Sequence, residues 1–221
     1  MRLERTLAYI NTSLVLDVGA NCGQFASEIR DAGYAGQIVS FEPLGDAHRI
    51  LANKAANDAK WTVHQRAAVG DEAGNIEMNV SENSVSSSIL KMNDVHEEAH
   101  QASRYIATEQ VPVITLDDVV PDYQPPSNRS VFLKIDTQGY EWQVLNGAER
   151  TLSLCGAILL EASLVELYQG QKLWFELIER MSQNGFHVWS IDRGFFNRDT
   201  GQTLQCDAVF MHESNMPKSS N

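Results

Sequence analysis

The run Leu14-Val-Leu-Asp17-Val-Gly19-Ala-Asn21-Cys-Gly23-Gln24-Phe25 constrains the fold of this chain more than any other segment. Leu14 to Val18 is an apolar run with strand character, and the glycines mark a tight turn. Phe25 to Ala32 then carries helical spacing that Gly33 stops. A buried strand feeding a glycine loop that opens a helix is the first unit of an α/β sheet, the setting in which nucleotides bind. The alternation continues. Gln37 to Phe41 reads as the second strand, Asp46 to Asn57 as a helix and Trp61 to Val69 as the third strand. Later strands are predicted over Asn75 to Val80, Tyr105 to Leu116, Val131 to Asp136, Gly156 to Glu161, Phe186 to Asp192 and Thr203 to His212. Helices are predicted over Arg2 to Asn11, Glu141 to Leu152 and Lys172 to Asn184. Alternation at this spacing implies parallel strands joined by crossover helices.

Composition narrows the function classes. A chain of 221 residues with 43% hydrophobic content fits one domain with a substantial core, so residues 1–221 are expected to form a single unit. Lys and Arg total 17 against 29 Asp and Glu, a net charge of −12 with no basic run. Nucleic-acid binding normally leaves a basic footprint, so a nucleic-acid partner is not expected. Cys22, Cys155 and Cys206 form no CxxC pair, which argues against a disulfide framework and suits a reducing compartment. No apolar run approaches the roughly 20 residues that span a bilayer, so stable membrane insertion is not expected and the cytoplasm is the expected location. The segment from 81 to 103 is rich in Ser, Asn, Glu and His and reads as a polar excursion, and the tail after 212 as frayed. His96-Glu-Glu-Ala-His100 matches the H-E-x-x-H pattern, but its polar flanks and lack of an evident third ligand argue against a catalytic zinc.

The glycine loop fails the dinucleotide pattern G-x-G-x-x-G twice, with Asn21 and Gln24 at the second and third glycine positions. A carboxylate at the loop's mouth, Asp17, would repel a pyrophosphate but suits a ligand bearing a sulfonium and an ammonium, as S-adenosyl-L-methionine does. Glu42, at the end of the second strand before Pro43, lies roughly 20 to 25 residues after the loop, where an acid accepts hydrogen bonds from ribose hydroxyls. Asp136 and Glu161 end two later strands and are candidates for work on a substrate at the same edge. Asp136 also reads as a helix cap, since Asp is a favoured N-cap.

Asp17-Val-Gly19-Ala-Asn21-Cys-Gly23 together with Phe41-Glu42-Pro43 resembles the opening of class I methyltransferases. The block Lys134-Ile-Asp136-Thr-Gln-Gly139-Tyr-Glu141, followed by Val144-Leu-Asn-Gly-Ala148, is similar to the signature of the FkbM family. Arg66-Ala67-Ala68-Val-Gly-Asp71, Thr115-Leu-Asp117, Tyr168-Gln-Gly170 and Asp207-Ala-Val-Phe210 extend the likeness over most of the chain. The resemblance implies a Rossmann-like α/β fold: a doubly wound, seven-stranded mixed sheet with helices on both faces and an antiparallel last strand. It implies S-adenosyl-L-methionine held by Asp17, Gly19, Ala20, Asn21, Gly23, Glu42 and Pro43, with Ala67 and Ala68 against adenine. It also implies O-methylation of a sugar, a lipid-linked compound or a polyketide-type small molecule. Thr-Gln-Gly after Asp136 lacks the Asp/Asn-Pro-Pro-aromatic motif of many nitrogen methyltransferases, which favours oxygen. Asp136 and Glu161 are expected to serve as catalytic acids, one as general base or the pair as ligands of a divalent cation such as magnesium, the metal-free route being preferred. A non-catalytic cofactor-binding regulator and a nucleic-acid methyltransferase are the alternatives.

Overall fold

The computed structural model describes residues 2–83, 86–93, 103–125 and 128–217. In chain order its strands begin with β1 (Leu14–Val18), β2 (Gln37–Phe41), β3 (Trp61–Val63), β4 (Ala68–Val69) and β5 (Gly74–Ser81). They continue with β6 (Tyr105–Ile114), β7 (Val131–Ile135), β8 (Cys155–Ser163), β9 (Phe186–Arg193) and β10 (Gln205–His212). The helices are α1 (Arg2–Tyr9), α2 (Gln24–Asp31), α3 (Gly45–Ala55), α4 (Leu116–Val119), α5 (Glu141–Asn146), α6 (Glu149–Leu152) and α7 (Trp174–Gln183).

Among the described residues the main sheet has seven strands in the order β3-β2-β1-β7-β8-β10-β9. β3, β2, β1, β7 and β8 are parallel, and β10 runs antiparallel between β8 and β9. This is the doubly wound sheet with an antiparallel last strand that the sequence predicts. β1 and β7 are buried along their whole length, so they read as continuous apolar runs instead of alternating ones. The period of two still sorts their side chains. Leu14, Leu16 and Val18 join a core with Leu133 and Ile135 that α5 and α7 cover through Val144, Leu145, Leu177 and Met181. Val15 and Phe132 face the opposite core, covered by Leu7 of α1, Ala26 and Ile29 of α2 and Leu51 of α3. The strand order turns outward from β1 in two directions, so the crevice for a ligand opens above the carboxyl ends of β1 and β7.

Two predicted elements divide. Trp61 to Val69 is not one strand: β3 pairs with β2, while β4 leaves the main sheet to pair with Val113 and Ile114 of β6. A second sheet, β4-β6-β5, results. Glu141 to Leu152 is likewise two helices, α5 and α6, separated at Gly147. A Cβ on Gly147 would lie 2.0 Å from the carbonyl oxygen of Gly70, so only glycine allows the two segments to approach there. Among the described residues no helix is long and apolar enough to cross a membrane.

Candidate active site

The turn after β1 is built on left-handed backbone: φ is +74° at Gly19, +46° at Asn21 and +79° at Gly23. Gly19 and Ala20 both donate their backbone N–H to the carbonyl of Phe41, at 3.1 and 3.0 Å, which folds the loop over the end of β2. A Cβ at Gly19 would sit 1.8 Å from the carbonyl oxygen of Asp136, so this position admits only hydrogen. Asn21 tolerates its conformation because its Oδ1 accepts the N–H of Cys22 at 2.7 Å. Glu42, 4% exposed, accepts the N–H of Asn21 at 2.7 Å on one oxygen and that of Leu44 at 2.8 Å on the other. Burial pushes its carboxyl up to about 7, against the pull of these two backbone donors. A carboxylate offers about four acceptor sites, so two remain for a ligand.

Asp17 is fully buried and does not line the open crevice. Its carboxylate accepts the hydroxyl of Ser40 at 3.2 Å and lies 3.3 Å from the ammonium of Lys134, its partner in register on β7. Direct contact with a ligand's ammonium, expected from its place before the loop, is not what this geometry offers. Lys134 carries more than one load: it donates to the carbonyl of Gly19 at 2.9 Å and pairs with Asp136 at 3.4 Å. Burial opposes the charge on Lys134, but Asp136 and Asp17 outweigh it and hold the ammonium above the ordinary lysine range. Lys134 therefore joins the glycine loop to the end of β7. The sequence signal for it is a charged residue in the middle of a fully buried strand.

Asp136 does not cap α5; Tyr140 holds that position. The Asp136 carboxylate instead accepts from Nε2 of Gln138 at 2.9 Å. The same amide nitrogen donates to Glu161 at 2.5 Å, and Gln205 donates to the same Glu161 oxygen at 3.0 Å. The two acids named from the sequence are thus brought together through an amide. They differ in exposure to the crevice: Asp136 lines it and Glu161 does not. Burial, then Asp136, Glu141 and Asp207, push the Glu161 carboxyl well above the ordinary range.

Glu141 braces this loop from below, its Oε1 accepting the N–H of Thr137 at 3.0 Å and of Gly139 at 3.1 Å. Burial raises its carboxyl to about 7. A carboxyl raised on folding stabilises the native state at low pH and loses that contribution as pH rises from its unfolded value, near 4.5, through about 7. Glu141→Gln, which keeps an acceptor oxygen but cannot ionise, is expected to gain Tm relative to the parent chain between pH 5 and pH 8. A Tm difference independent of pH over that range would refute the assignment.

The crevice has a volume of about 800 Å³, within the range of small-molecule sites. Gly19, Ala20, Asn21, Glu42, Pro43, Ala67 and Ala68 line it at the β1–β2 side, and Lys134, Asp136 and Gln138 line it toward β8. Gly23 lies behind the loop at the start of α2. Asp192 and Asp207, cross-strand neighbours on β9 and β10, add carboxylates at the far side. Burial, together with Asp136 and Asp192, raises Asp207 to about 6. Within the segment read as a polar excursion, Ser86, Ser87 and Ser88 are all buried, and Ser88 donates to the carbonyl of Gln138 at 2.6 Å. His212 bonds Ser214 and packs on Phe186, away from the crevice. The His96–His100 motif lies outside the described residues. Among the described residues no three His, Cys, Asp or Glu side chains are grouped as a metal site would require.

Comparison with solved structures returns methyltransferase folds at low identity. A Burkholderia thailandensis 1,6-didemethyltoxoflavin-N1-methyltransferase, solved with its substrate and S-adenosylhomocysteine, is 10% identical; the match covers 96% of this chain and 76% of that one, with a TM-score of 0.50. A Listeria monocytogenes chain described as an S-adenosylmethionine-dependent methyltransferase is 10% identical over 96% of both chains, with a TM-score of 0.51. An rRNA methylase from Streptococcus thermophilus is 9% identical, covering 96% of this chain and 97% of that one, at a TM-score of 0.49. At such identities the likeness to the first two speaks to the fold alone. Among curated protein sequences none matches this chain. The model of the methyltransferase FkbM domain matches residues 17–188, from the acid before the glycine loop into β9. The chain belongs to the FkbM-domain methyltransferase family.

Proposed function

We propose that this methyltransferase uses S-adenosyl-L-methionine to methylate a hydroxyl group on a sugar, lipid-linked or polyketide-type small molecule. The observation that carries the reading is one crevice lined by the glycine loop, Glu42 and Asp136. The cofactor fits the residues present. Gly19, Ala20 and Asn21 of the loop line the crevice, Glu42 keeps acceptor sites beside Asn21 for ribose hydroxyls, and Ala67 and Ala68 offer a small apolar wall for adenine. Asp17 and Gly23 would act from behind, by fixing the loop. When bound, the cofactor supplies an electrophilic methyl group on a sulfonium. Glu42→Ala removes the ribose acceptors and is expected to weaken cofactor binding by about 1.5–3 kcal/mol, the range for charge-assisted hydrogen bonds. Calorimetry on the folded variant showing unchanged affinity would refute this placement.

Asp136 is the proton acceptor in this reading, because it alone of the two paired acids reaches the crevice. As the acceptor oxygen takes the methyl carbon, whose bond to sulfur breaks to leave a neutral thioether, the acceptor's O–H proton would pass to the Asp136 carboxylate. Glu161 sits behind it and shares its amide partner. That amide occupies the space between the two acids with hydrogens, a donor arrangement that supports the metal-free route over magnesium. Asp136, Asp192 and Asp207 line the crevice with carboxylates, while the ammonium of Lys134 is taken by Asp17 and Asp136. Such a lining disfavours phosphate backbones and supports a small hydroxyl compound over RNA or DNA. The test is transfer of labelled methyl to a panel of glycosides, glycolipids and hydroxylated polyketides, alongside structured RNA. Labelling of hydroxyl compounds is expected. Labelling of RNA would overturn the proposal, and cofactor binding without transfer to any class would favour a regulator.

A further inference from the structure

Gln138 holds a conformation that few residues other than glycine adopt, with φ at +54°. Four hydrogen bonds fix it there. Ser88, fully buried, donates its hydroxyl to the Gln138 carbonyl at 2.6 Å. Tyr168, also fully buried, donates its hydroxyl to Oε1 of the Gln138 amide at 2.8 Å. Nε2 then spends its two hydrogens on the two carboxylates, Asp136 at 2.9 Å and Glu161 at 2.5 Å. The orientation of the amide is dictated by chemistry. Turned over, its oxygen would face the Asp136 carboxylate, which only accepts, and the Tyr168 hydroxyl would lose its acceptor on the amide and keep the Ser86 carbonyl at 3.3 Å.

We infer that Gln138 is a positioning residue: its amide, aligned by Tyr168, holds Asp136 toward the crevice in the orientation that receives the acceptor's proton. The inference rests on the reading of Asp136 as proton acceptor. Its physical content is separate from cofactor binding, because among the described residues the side-chain hydrogen bonds of Gln138 run to Asp136, Glu161 and Tyr168, away from Glu42. The amide also stabilises negative charge on Glu161. That carboxyl is faced by Asp136 after β7, Glu141 of α5 and Asp207 of β10, all of which disfavour its ionisation, and by Lys134 of β7, which favours it. Gln205 and Cys206 of β10 and the hydroxyl of Tyr168 also neighbour it.

The test uses Gln138→Met and Tyr168→Phe in the full chain. Methionine keeps the length and the unbranched Cβ, so the backbone conformation is no more strained than with glutamine. Gln138→Met is expected to lower kcat by about 10²-fold, the scale of a catalytic group displaced by an ångström. Tyr168→Phe, which frees the amide to turn, is expected to lower kcat by about fivefold, as one lost hydrogen bond allows. In both variants KM and cofactor affinity stay at parental values, a split that general loosening of the structure would not produce. In the same proteins, carboxyl 13C NMR should place the Glu161 titration midpoint higher in Gln138→Met than in the parent. Parental kcat in either variant, or losses of kcat and cofactor affinity in parallel, would overturn the inference. Should the parent chain methylate no acceptor, the reading of the crevice fails, and the titration alone decides the clamp: an unmoved Glu161 midpoint refutes it and a raised one supports it.

Discussion

Asp136→Asn is expected to lower kcat by about 10²-fold or more, the scale of a lost general base, while S-adenosyl-L-methionine still binds. The substitution keeps the side chain's size but replaces an acceptor oxygen with a nitrogen that donates. The group beside the acceptor hydroxyl then has no capacity to take its proton, and the amide of Gln138 meets a second donor. Cofactor affinity survives because the residues proposed to hold it, from Gly19 to Asn21 and Glu42, are fixed by backbone hydrogen bonds of their own. Treatment with EDTA separates the two routes by which an acid pair could activate a hydroxyl. The metal-free reading predicts the full parental rate after chelation. A parental kcat in both Asp136→Asn and Glu161→Gln would remove the acids from the chemistry altogether.

Lys134→Met is expected to destabilise the fold by about 3–5 kcal/mol, the cost of stranding a buried charge by removing its partner. The lysine is 6% exposed and faces Asp17, which is wholly buried. Without the ammonium, Asp17 must either take up a proton or remain charged in an apolar layer; burial already raises its carboxyl above the ordinary range. The lost bond to the Gly19 carbonyl loosens the glycine loop as well. Adding Asp17→Asn to Lys134→Met removes the stranded charge and is expected to recover part of the loss, a coupling that denaturant unfolding of the four proteins measures. Unfolding of Lys134→Met at the parental midpoint would show that the buried pair contributes nothing.

The central strands of the main sheet were legible because they are buried on both faces and therefore stand out as short apolar runs. Leu14 to Val18 and Val131 to Ile135 need no partner information to be recognised. The second sheet was not legible. Ala68 and Val69 continue the apolar character of Trp61 to Val63, and only pairing with Val113 and Ile114, far along the chain, draws them out of the main sheet. Ser86 to Ser88 misled by composition: their hydroxyls are satisfied by Ser81, Ser103 and the Gln138 carbonyl, so polar residues could be buried. At the site, residues that face the crevice were found by their place at strand ends. Lys134, Gln138 and Glu141 lie within a motif quoted whole, yet their roles depend on cross-strand register and on a left-handed turn that no single-residue preference reveals. Asp17 is the converse case. Its position before the loop suggested direct ligand contact, but it points toward Lys134 and Ser40 in a sealed layer.

The most direct measurement is the chemical environment of the transferred methyl group. The parent chain is incubated with S-adenosyl-L-methionine labelled with 13C in its methyl group and with the hydroxyl-bearing panel, and the product is examined by 13C NMR. A labelled methyl ether, its carbon bonded to oxygen, is expected, forming about 10²-fold or more slowly with Asp136→Asn. A label bonded to nitrogen or carried by RNA, or a methyl ether formed equally well by Asp136→Asn, would contradict that expectation.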